Sequence, residues 1–278
     1  MSKIQELKAL LEQYGLWAKK RLGQNFLVDE EIFEHILGAA DLKSTDNIIE
    51  VGPGTGFLTE QLIEKAHRLI AVEYDSDMIR VLEQRFRKSK NLELVYSDIL
   101  KFRIKEQGFK GKPYKVVANI PYYITSPLLK LFLQSECKPS LMVVLVQREV
   151  AEKICGLSSK SVITIETQLY GKPEIIGIVP RDAFYPVPAV DSAILKIEVF
   201  KKPLMPESQM ADFIRLVKFG FSQKRKKLSN TLSAGLRFDT TTMKTILLKA
   251  DIDPNLRAEN LEIEDWKRLL KVLTKLKK

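Results

Sequence analysis

The 278-residue sequence has few of the residues from which disulfide scaffolds and metal centres are built. Its two cysteines, Cys137 and Cys155, form no CxxC pair, and its two histidines, His35 and His67, are far apart. A disulfide framework and a zinc or histidine-based metal site are therefore not expected. Sparse cysteine is typical of proteins of the reducing cytoplasm, where we expect this one to reside.

Long hydrophobic runs are also missing. The apolar stretch at residues 141–146 is far shorter than the roughly 20 residues of a membrane helix, and the N-terminal residues lack the apolar core of a signal peptide. No membrane association is expected. Lysine and arginine total 45 against 35 aspartates and glutamates, a net charge of +10, which favours a polyanion such as nucleic acid as partner. An ordinary solvated surface could carry the same charge.

Short apolar runs alternate with helical patterns through the first two-thirds of the chain. The first five runs are continuous rather than alternating, which is typical of a parallel sheet covered on both faces. The pattern predicts a doubly wound α/β domain whose last two strands form an antiparallel pair at a sheet edge. Strands are predicted at residues 48–51, 69–73, 92–96, 114–118, 141–147, 174–179 and 191–199, and helices at 56–65, 76–88 and 126–134.

A domain boundary is predicted at residues 200–208, where two prolines interrupt the pattern. Every periodic segment beyond it is helical. The tail is therefore predicted to be a small all-helical domain. Apolar side chains share one helix face in each of two segments, Phe213, Leu216 and Val217 in the first and Ile263, Trp266, Leu269, Leu270 and Leu273 in the second.

The sharpest local signal is the sequence EVGPGTG at residues 50–56, which follows the first strand and opens a helix. Gly52, Gly54 and Gly56 allow a tight turn and a close approach of a ligand to the backbone. Dinucleotide-binding loops space their glycines as GxGxxG, whereas here the third glycine comes one residue early and Phe57 occupies its place. A pyrophosphate is thus disfavoured, and a cofactor without phosphate, such as S-adenosylmethionine, is predicted.

Two acidic residues follow the second and third strands. Glu73, 21 residues after Gly52, can accept hydrogen bonds from both ribose hydroxyls of a nucleoside cofactor. Asp98 and the adjoining Ile99 lie where the adenine of the cofactor is expected, with the carboxylate accepting from its amino group. Asp98 alone could equally be a helix N-cap, so its interpretation depends on the glycine turn and Glu73.

The fourth strand ends in Asn119, Ile120, Pro121 and Tyr122, at the edge where doubly wound sheets bind ligands. The Asn119 side-chain oxygen and the Ile120 carbonyl can hold the hydrogens of a planar amine and stabilise the positive charge that develops on it. The Tyr122 ring offers a surface on which a flipped base stacks. The tetrapeptide resembles the (Asn/Asp)-Pro-Pro-(Tyr/Phe) signature of methyltransferases that act on planar amino groups. Ile120 departs from it, in the form typical of ribosomal RNA adenine dimethyltransferases.

Further motifs resemble the same family, the ribosomal RNA adenine N6,N6-dimethyltransferases. They are RLGQNFL (residues 21–27), AFYPVPAVDSA (183–193), FGFSQKRKKL (219–228) and RAENL (257–261), so the resemblance runs from about residue 19 to the C-terminus. It implies that Asn25 and Leu27 contact the cofactor. It also implies that Phe184, which would otherwise be interpreted as a core aromatic, lies beside the base pocket opposite Tyr122.

The resemblance further implies a Rossmann-like class I methyltransferase sheet of seven strands in residues 1–200, with a basic extension at 1–24, and a helical rRNA-binding domain at 208–278. The small-subunit branch of the family, which fits best, transfers methyl groups from S-adenosylmethionine to N6 of two adjacent adenosines near the 3′ end of 16S rRNA. Its products are N6,N6-dimethyladenosine and S-adenosylhomocysteine. The implied partner is rRNA in the 30S precursor, and the chain is expected to act as a monomer without a metal.

Two clusters of basic residues are predicted to contact the rRNA backbone. Charge runs are usually solvated helix faces, but the second cluster is anchored by the flanking Phe219, Phe221 and Leu228, which leaves its charges to project outward. The clusters are Lys19, Lys20 and Arg21, and Lys224, Arg225, Lys226 and Lys227.

Three alternatives stay open. The macrolide-resistance branch of the family modifies large-subunit rRNA. A non-catalytic ribosome-assembly factor could use the same fold, although the intact glycine turn, Asn119 and Tyr122 argue against it. Methylation of DNA adenine or of a protein glutamine uses similar tetrapeptides, but the helical tail argues against both.

Overall fold

The computed structural model describes residues 2–109 and 112–276, and the chain divides into two compact units. The first unit comprises Met1–Ala151 and Lys172–Lys201, and the second comprises Glu152–Gly171 and Lys202–Lys278. Each unit buries apolar side chains of its own. The division of catalysis and RNA binding between residues 1–200 and 208–278 stays a prediction.

Strands and helices are interspersed up to the last strand, and only helices follow it. The strands are β1 (Phe26–Leu27), β2 (Asn47–Val51), β3 (Arg68–Glu73), β4 (Leu92–Tyr96), β5 (Lys115–Asn119), β6 (Leu141–Gln147), β7 (Gly171–Val179), β8 (Phe184–Tyr185) and β9 (Ser192–Val199). The helices are α1 (Lys3–Gln13), α2 (Glu30–Ala40), α3 (Phe57–Lys65), α4 (Ser76–Arg85), α5 (Thr125–Leu133), α6 (Arg148–Cys155), α7 (Val162–Tyr170), α8 (Glu207–Gly220), α9 (Leu228–Leu236), α10 (Thr240–Lys249) and α11 (Ile263–Leu276).

Seven strands form the main sheet, in the order β4-β3-β2-β5-β6-β9-β7. β2 pairs in parallel with β3 and β5, β3 with β4, and β5 with β6, whereas β9 runs antiparallel to β6. The strand order reverses between β2 and β5, where a doubly wound sheet opens a ligand crevice at its carboxyl edge. The predicted α/β class with seven strands is confirmed, and the last two strands of the sheet lie at one edge.

Helices cover the central strands, which explains why the first six residues of β6 are all buried. The expectation of burial on both faces is wrong for β4, which lies at the sheet edge and has no buried residue. α2 packs against β5, β6 and β9, while α3 and α4 pack against β3. Side-chain caps fix where two of these helices begin. Asp29 accepts from the backbone N–H groups of Glu31 and Ile32, and Asp75 accepts from that of Asp77.

A second, two-stranded sheet lies in the first unit, where β1 pairs antiparallel with β8. Leu27 is opposite Phe184, and Phe26 is opposite Tyr185. Strands of two residues are too short for an alternating pattern, so periodicity does not predict them. Their pairing holds the chain before α2 against the chain before β9.

The second unit is helical, and α8 is its most connected helix. It contacts α7, α9 and α11, and α10 contacts α9 and α11. The apolar faces predicted for α8 and α11 are buried, with Ile263 only partly so. No helix within residues 2–109 and 112–276 is both long and apolar enough to cross a bilayer.

Gly220, the last residue of α8, leaves no room for a side chain. A Cβ there would lie 2.3 Å from Cη2 of Trp266 and 3.3 Å from Cδ1 of Leu228. We expect Gly220→Ala to lower the free energy of unfolding by about 1–3 kcal/mol, because the indole must move in a close-packed interior. The measurement is urea unfolding followed by tryptophan fluorescence.

Gly38→Ala in α2 is the matched control, because a Cβ at Gly38 meets no atom within 4 Å. Alanine should stabilise this helix by roughly 0.5–1 kcal/mol, since glycine is the poorer helix former. A Gly220→Ala protein that unfolds at the wild-type urea concentration would contradict the packing described for Trp266.

Candidate functional site

A cavity of about 870 Å³, its open mouth included, lies at the carboxyl edge of the main sheet where the strand order reverses. Its walls come from the ends of β2, β3 and β5 and from the chain that leads into α2. Nine predicted site residues line it: Asn25, Leu27, Gly52, Gly54, Glu73, Asn119, Ile120, Pro121 and Tyr122. Four others, Gly56, Asp98, Ile99 and Phe184, lie outside this wall.

The turn between β2 and α3 brings backbone rather than side chains to the cavity. Gly54 has a φ of +58°, and a Cβ there would lie 3.1 Å from the Phe26 ring, so only glycine suits both the conformation and the space. A Cβ at Gly56 would come within 2.6 Å of Phe86 and 2.8 Å of Leu82. Gly54 therefore shapes the cavity, whereas Gly56 lets α3 begin against the side chains of α4.

Glu73 ends β3 and is 7% exposed. Its Oε2 accepts from the Gly54 backbone N–H (3.0 Å), and its Oε1 accepts from those of Tyr74 (2.7 Å) and Asp75 (2.8 Å). Burial raises the pKa of Glu73 against the opposing effect of these bonds, and the Asp75 carboxylate raises it further. A carboxylate offers about four acceptor positions, so one position on Oε2 is left for a ligand.

Glu50, in β2, is the second carboxyl group of the cavity wall and is 1% exposed. Burial, against the opposing effect of the nearby Thr59 hydroxyl and with a further contribution from the charge of Glu73, raises the pKa of Glu50 to about 8. The carboxyl group is therefore largely protonated at pH 7. Its Oε2 has no hydrogen-bond partner among the residues that the structure describes. An unpaired buried polar atom is costly, and in a cavity wall it offers a place where a polar ligand group can form a hydrogen bond.

Asn119 ends β5 on the other side of β2. Its Nδ2 donates to the backbone carbonyl of Asn25 at 3.0 Å. This bond uses the donor end of the amide, and within the described part of the chain the Oδ1 end makes no hydrogen bond. The amide therefore presents an acceptor beside Ile120, as the chemistry predicted from the tetrapeptide requires.

Tyr122 opens a short 3₁₀ turn and is held by its hydroxyl group. Tyr122 Oη lies 2.7 Å from Oγ of Ser192, a fully buried residue at the start of β9. Burial raises the pKa of Tyr122, and the hydrogen bond to Ser192 opposes the shift. Because the ring is fixed at its far end, its edge and faces keep one position in the cavity wall.

The predicted residues outside the wall have identifiable contacts of their own. Phe184 is 1% exposed, pairs with Leu27 and belongs to the apolar core, so its contact with a base stays a prediction. Asp98 accepts from the backbone N–H of Leu100 at 2.9 Å, the N-cap role that its position also allowed. Ile99 is buried. Contacts of Asp98 and Ile99 with a cofactor likewise stay predictions.

Comparison with known proteins identifies the family. A model of the ribosomal RNA adenine dimethylase family matches residues 15–275. The chain belongs to this family. A ribosomal RNA small subunit methyltransferase A of Dehalococcoides mccartyi is 44% identical over 274 residues, covering 98% of this chain and 94% of the relative. A protein of the same name from Alkaliphilus metalliredigens is 37% identical over 271 residues, covering 95% of this chain and 94% of the relative.

Solved structures give the same picture of the adenine dimethylase family. The 23S rRNA methyltransferase ErmE superposes with a TM-score of 0.73 at 26% identity, covering 90% of this chain and 100% of that one. A dimethyladenosine transferase from Plasmodium falciparum superposes with a TM-score of 0.75 at 27% identity, covering 89% of this chain and 96% of that one. The expected class I methyltransferase architecture is confirmed.

The first predicted RNA-contact cluster, residues 19–21, contains two exposed basic residues and one that is ion-paired within the protein. Lys20 and Arg21 are exposed. Lys19 differs, because its ammonium group donates to Asp75 Oδ1 and Asp77 Oδ2 at 2.6 Å each. Its charge is already paired, which argues against the predicted phosphate contact for Lys19. The structure leaves Lys20 and Arg21 as the residues of this cluster that present their side chains to solvent.

The second predicted cluster lies between α8 and α9 in the helical unit. Lys224, Arg225, Lys226 and Lys227 are all exposed, in a turn rather than on a helix face. Lys227 donates to the Asn255 side-chain oxygen at 2.8 Å. Leu228, one of the predicted anchors, is fully buried.

Several residues that the sequence did not single out contribute to the dimethylase site. Glu50 is the clearest example. The sequence did contain a signal for it, because it is the one charged residue in the apolar run at 48–51. Gln24 and Ser192 lie inside the family motifs but act through contacts with distant residues. Across residues 2–109 and 112–276, no group of three or more His, Cys, Asp or Glu could hold a metal ion.

The protonated Glu50 gives a pH-dependent stability. The folded protein keeps this proton up to about pH 8, whereas a freely exposed glutamate loses it near pH 4.5, so stability falls as the pH rises between these values and levels off above them. Glu50→Gln removes the titration. From pH 5 to pH 8 we expect the variant to gain roughly 3 kcal/mol of unfolding free energy relative to wild type. Urea unfolding at four pH values measures this, and parallel curves for the two proteins would contradict it.

Proposed function

We propose that this chain transfers methyl groups from S-adenosylmethionine to N6 of two adjacent adenosines near the 3′ end of 16S rRNA, acting on the 30S precursor in the cytoplasm. The observation that carries the proposal is one cavity with two contrasting walls. Glu50 and Glu73 make one wall acidic, and Asn119 and Tyr122 give the other an amine acceptor and an aromatic ring. The relatives named ribosomal RNA small subunit methyltransferase A support the choice of substrate.

The carboxyl oxygens of the cavity fit the positive charge and the hydrogen-bond donors of S-adenosylmethionine. The Glu73 carboxylate, with its one open acceptor position, suits a cationic ligand with hydroxyl or amine donors and disfavours a phosphate. The unpaired Glu50 Oε2 offers a further hydrogen-bonding position. Gly52, Gly54, Asn25 and Leu27 would complete the contact surface. Bound there, the cofactor supplies an electrophilic methyl group on a positively charged sulfur.

Asp98 and Ile99 remain our proposed contacts for the adenine of the cofactor. The chain after β4 runs beside Glu73, because the Ser97 backbone N–H donates to the Glu73 carbonyl at 2.9 Å. A residue one position further along is thus close to the end of β3, where the ribose is proposed to bind.

The target amine is oriented by acceptors at the end of β5. The adenine N6 lone pair is delocalised into the ring, so the amine is a weak nucleophile. We assign its two hydrogens to Asn119 Oδ1, which is free because Nδ2 is bonded to Asn25, and to the Ile120 carbonyl. Fixed acceptor dipoles favour a pyramidal nitrogen and stabilise the positive charge that grows on it during transfer. The Pro121 ring keeps the turn rigid after these acceptors.

The flipped base is proposed to stack on Tyr122, with Phe184 on the opposite side. Base–aromatic stacking is worth roughly 1–3 kcal/mol per base, and the Ser192 bond fixes the Tyr122 ring before the base arrives. The rRNA backbone is assigned to the exposed basic side chains. These are Lys20, Arg21, Lys224, Arg225, Lys226 and Lys227.

Two replacements of Tyr122 distinguish the role of its ring from the role of its hydroxyl group. Tyr122→Ala should lower kcat/KM for methyl transfer by about 10- to 100-fold, because the stacking surface is lost. Tyr122→Phe keeps the ring and loses only the bond to Ser192, so it should retain most of the activity. Transfer of radiolabelled methyl groups to unmethylated small subunits is the measurement. Equal activity of Tyr122→Ala and wild type would contradict the stacking role.

A panel of substrates tests the function itself, since similarity to ErmE keeps large-subunit rRNA as the second candidate. Purified protein is given unmethylated small subunits, 23S rRNA, adenine-containing DNA and a glutamine-containing protein. We expect dimethyladenosine only in 16S rRNA, detected by mass spectrometry of nuclease digests. Methylation of 23S rRNA alone would favour the second candidate, and cofactor binding without methylation of any substrate would favour a non-catalytic assembly factor.

A further inference from the structure

Four polar side chains tie the segment before β1 to the turn after β3 and to the first turn of α4. Lys19 Nζ donates to Asp75 Oδ1 and to Asp77 Oδ2, each at 2.6 Å. Gln24 Nε2 donates to Asp75 Oδ2 at 2.8 Å, and Gln24 Oε1 accepts from the Lys19 backbone N–H at 2.8 Å. We call these four residues, Lys19, Gln24, Asp75 and Asp77, the clasp.

The clasp is shielded from water at its centre. The side chain of Asp75 is 3% exposed and that of Lys19 is 17% exposed. Burial alone would lower the pKa of Lys19, but its hydrogen bonds to the two carboxylates outweigh that effect and raise it. The pKa of Asp77 is lowered, first by Lys19 and then by Arg80. A desolvated ion pair of this kind is sensitive to the loss of one partner, because the other is left buried and unpaired.

Both ends of the clasp lead into the cavity. Two positions before Asp75 in the chain is Glu73, whose Oε1 accepts from the Asp75 backbone N–H at 2.8 Å. Next to Gln24 is Asn25, whose carbonyl accepts from the Asn119 amide at 3.0 Å. One network of hydrogen bonds thus connects the acidic wall with the acceptor wall, through a segment whose residues 22–27 line the cavity.

We infer that Lys19 is a positioning residue for the cofactor, which holds the segment 19–25 in the cavity wall through the clasp. The inference rests on the proposed function in that it takes the cavity to bind S-adenosylmethionine. Without the ammonium group, the segment loses its ion pairs with Asp75 and Asp77. Asp75, whose backbone N–H donates to Glu73, is then held less firmly. Lys19 then acts on the cofactor through Asp75 and Gln24 rather than by touching it.

The test measures binding of S-adenosylhomocysteine to the full chain by isothermal titration calorimetry, without RNA and without turnover. Lys19→Met keeps the aliphatic stem and removes the charge, and we expect it to bind about tenfold more weakly than wild type. Lys19→Arg restores the charge and should recover the affinity to within about twofold, which a loss of packing alone would not explain. Hydrogen exchange at residues 19–27 should be faster in Lys19→Met than in wild type.

Lys105→Met is the matched control. Lys105 is also ion-paired, with Glu136 at 2.5 Å, but it lies in the connection between β4 and β5, away from the cavity wall. Its loss should leave the affinity unchanged. If Lys19→Met fails to fold, Asp77→Asn takes its place, since it removes one of the two carboxylates and leaves Asp75 as the cap of α4, and about threefold weaker binding is expected.

The outcomes separate the inference from the proposed function. Equal affinity of wild type and Lys19→Met, or of wild type and Asp77→Asn where that variant is used, overturns the role of the clasp and leaves the function standing. A wild-type protein that binds neither S-adenosylmethionine nor S-adenosylhomocysteine overturns both.

Discussion

The placement of two carboxyl groups in one buried wall is the constraint around which the site is built. Glu50 and Glu73 belong to neighbouring strands, and negative charge is costly where water is excluded. The unfavourable free energy of burial is reduced in a different way for each carboxyl group. Glu73 is surrounded by three backbone N–H donors, one of them from Gly54 in a conformation that other residues avoid, whereas Glu50 keeps its proton. The glycine turn therefore stabilises the Glu73 carboxylate in addition to making room for a ligand.

The topology of the sheet places this acidic wall opposite a wall of different character. β2 and β3 carry the carboxyl groups, and β5, on the other side of the strand reversal, carries Asn119 and leads into Tyr122. A cationic ligand and a neutral planar amine can thus be held side by side by groups that do not compete with each other. Membership of the ribosomal RNA adenine dimethylase family agrees with this division, because methyl transfer to adenine needs both.

Patterns in short stretches of sequence predicted the features that depend on neighbouring residues, namely the strands and the glycine turn. The apolar runs identified five strands of the main sheet as continuous stretches and two more as an edge pair, and the glycine spacing located the turn beside the cavity. Contacts between distant parts of the chain were beyond such patterns. The charge of Lys19 suggested a phosphate contact, but two carboxylates more than fifty residues away pair with it. The position of Asp98 suited either a cofactor or a cap, and only the observed bond to Leu100 shows the cap to be formed. The raised pKa of Glu50 depends on how completely its side chain is buried, which its place in an apolar run does not determine.

The pairing of β1 with β8, together with the bond between Tyr122 and Ser192, has a consequence for the order in which the first unit matures. These contacts join residues 26, 27 and 122 to a region made later, and closing such loops is entropically unfavourable until the late segment exists. During synthesis the early strands can pair while the segment before α2 still lacks its neighbour. A nascent chain therefore completes these contacts, and with them the fixed position of the Tyr122 ring, only after residue 192 has left the ribosome.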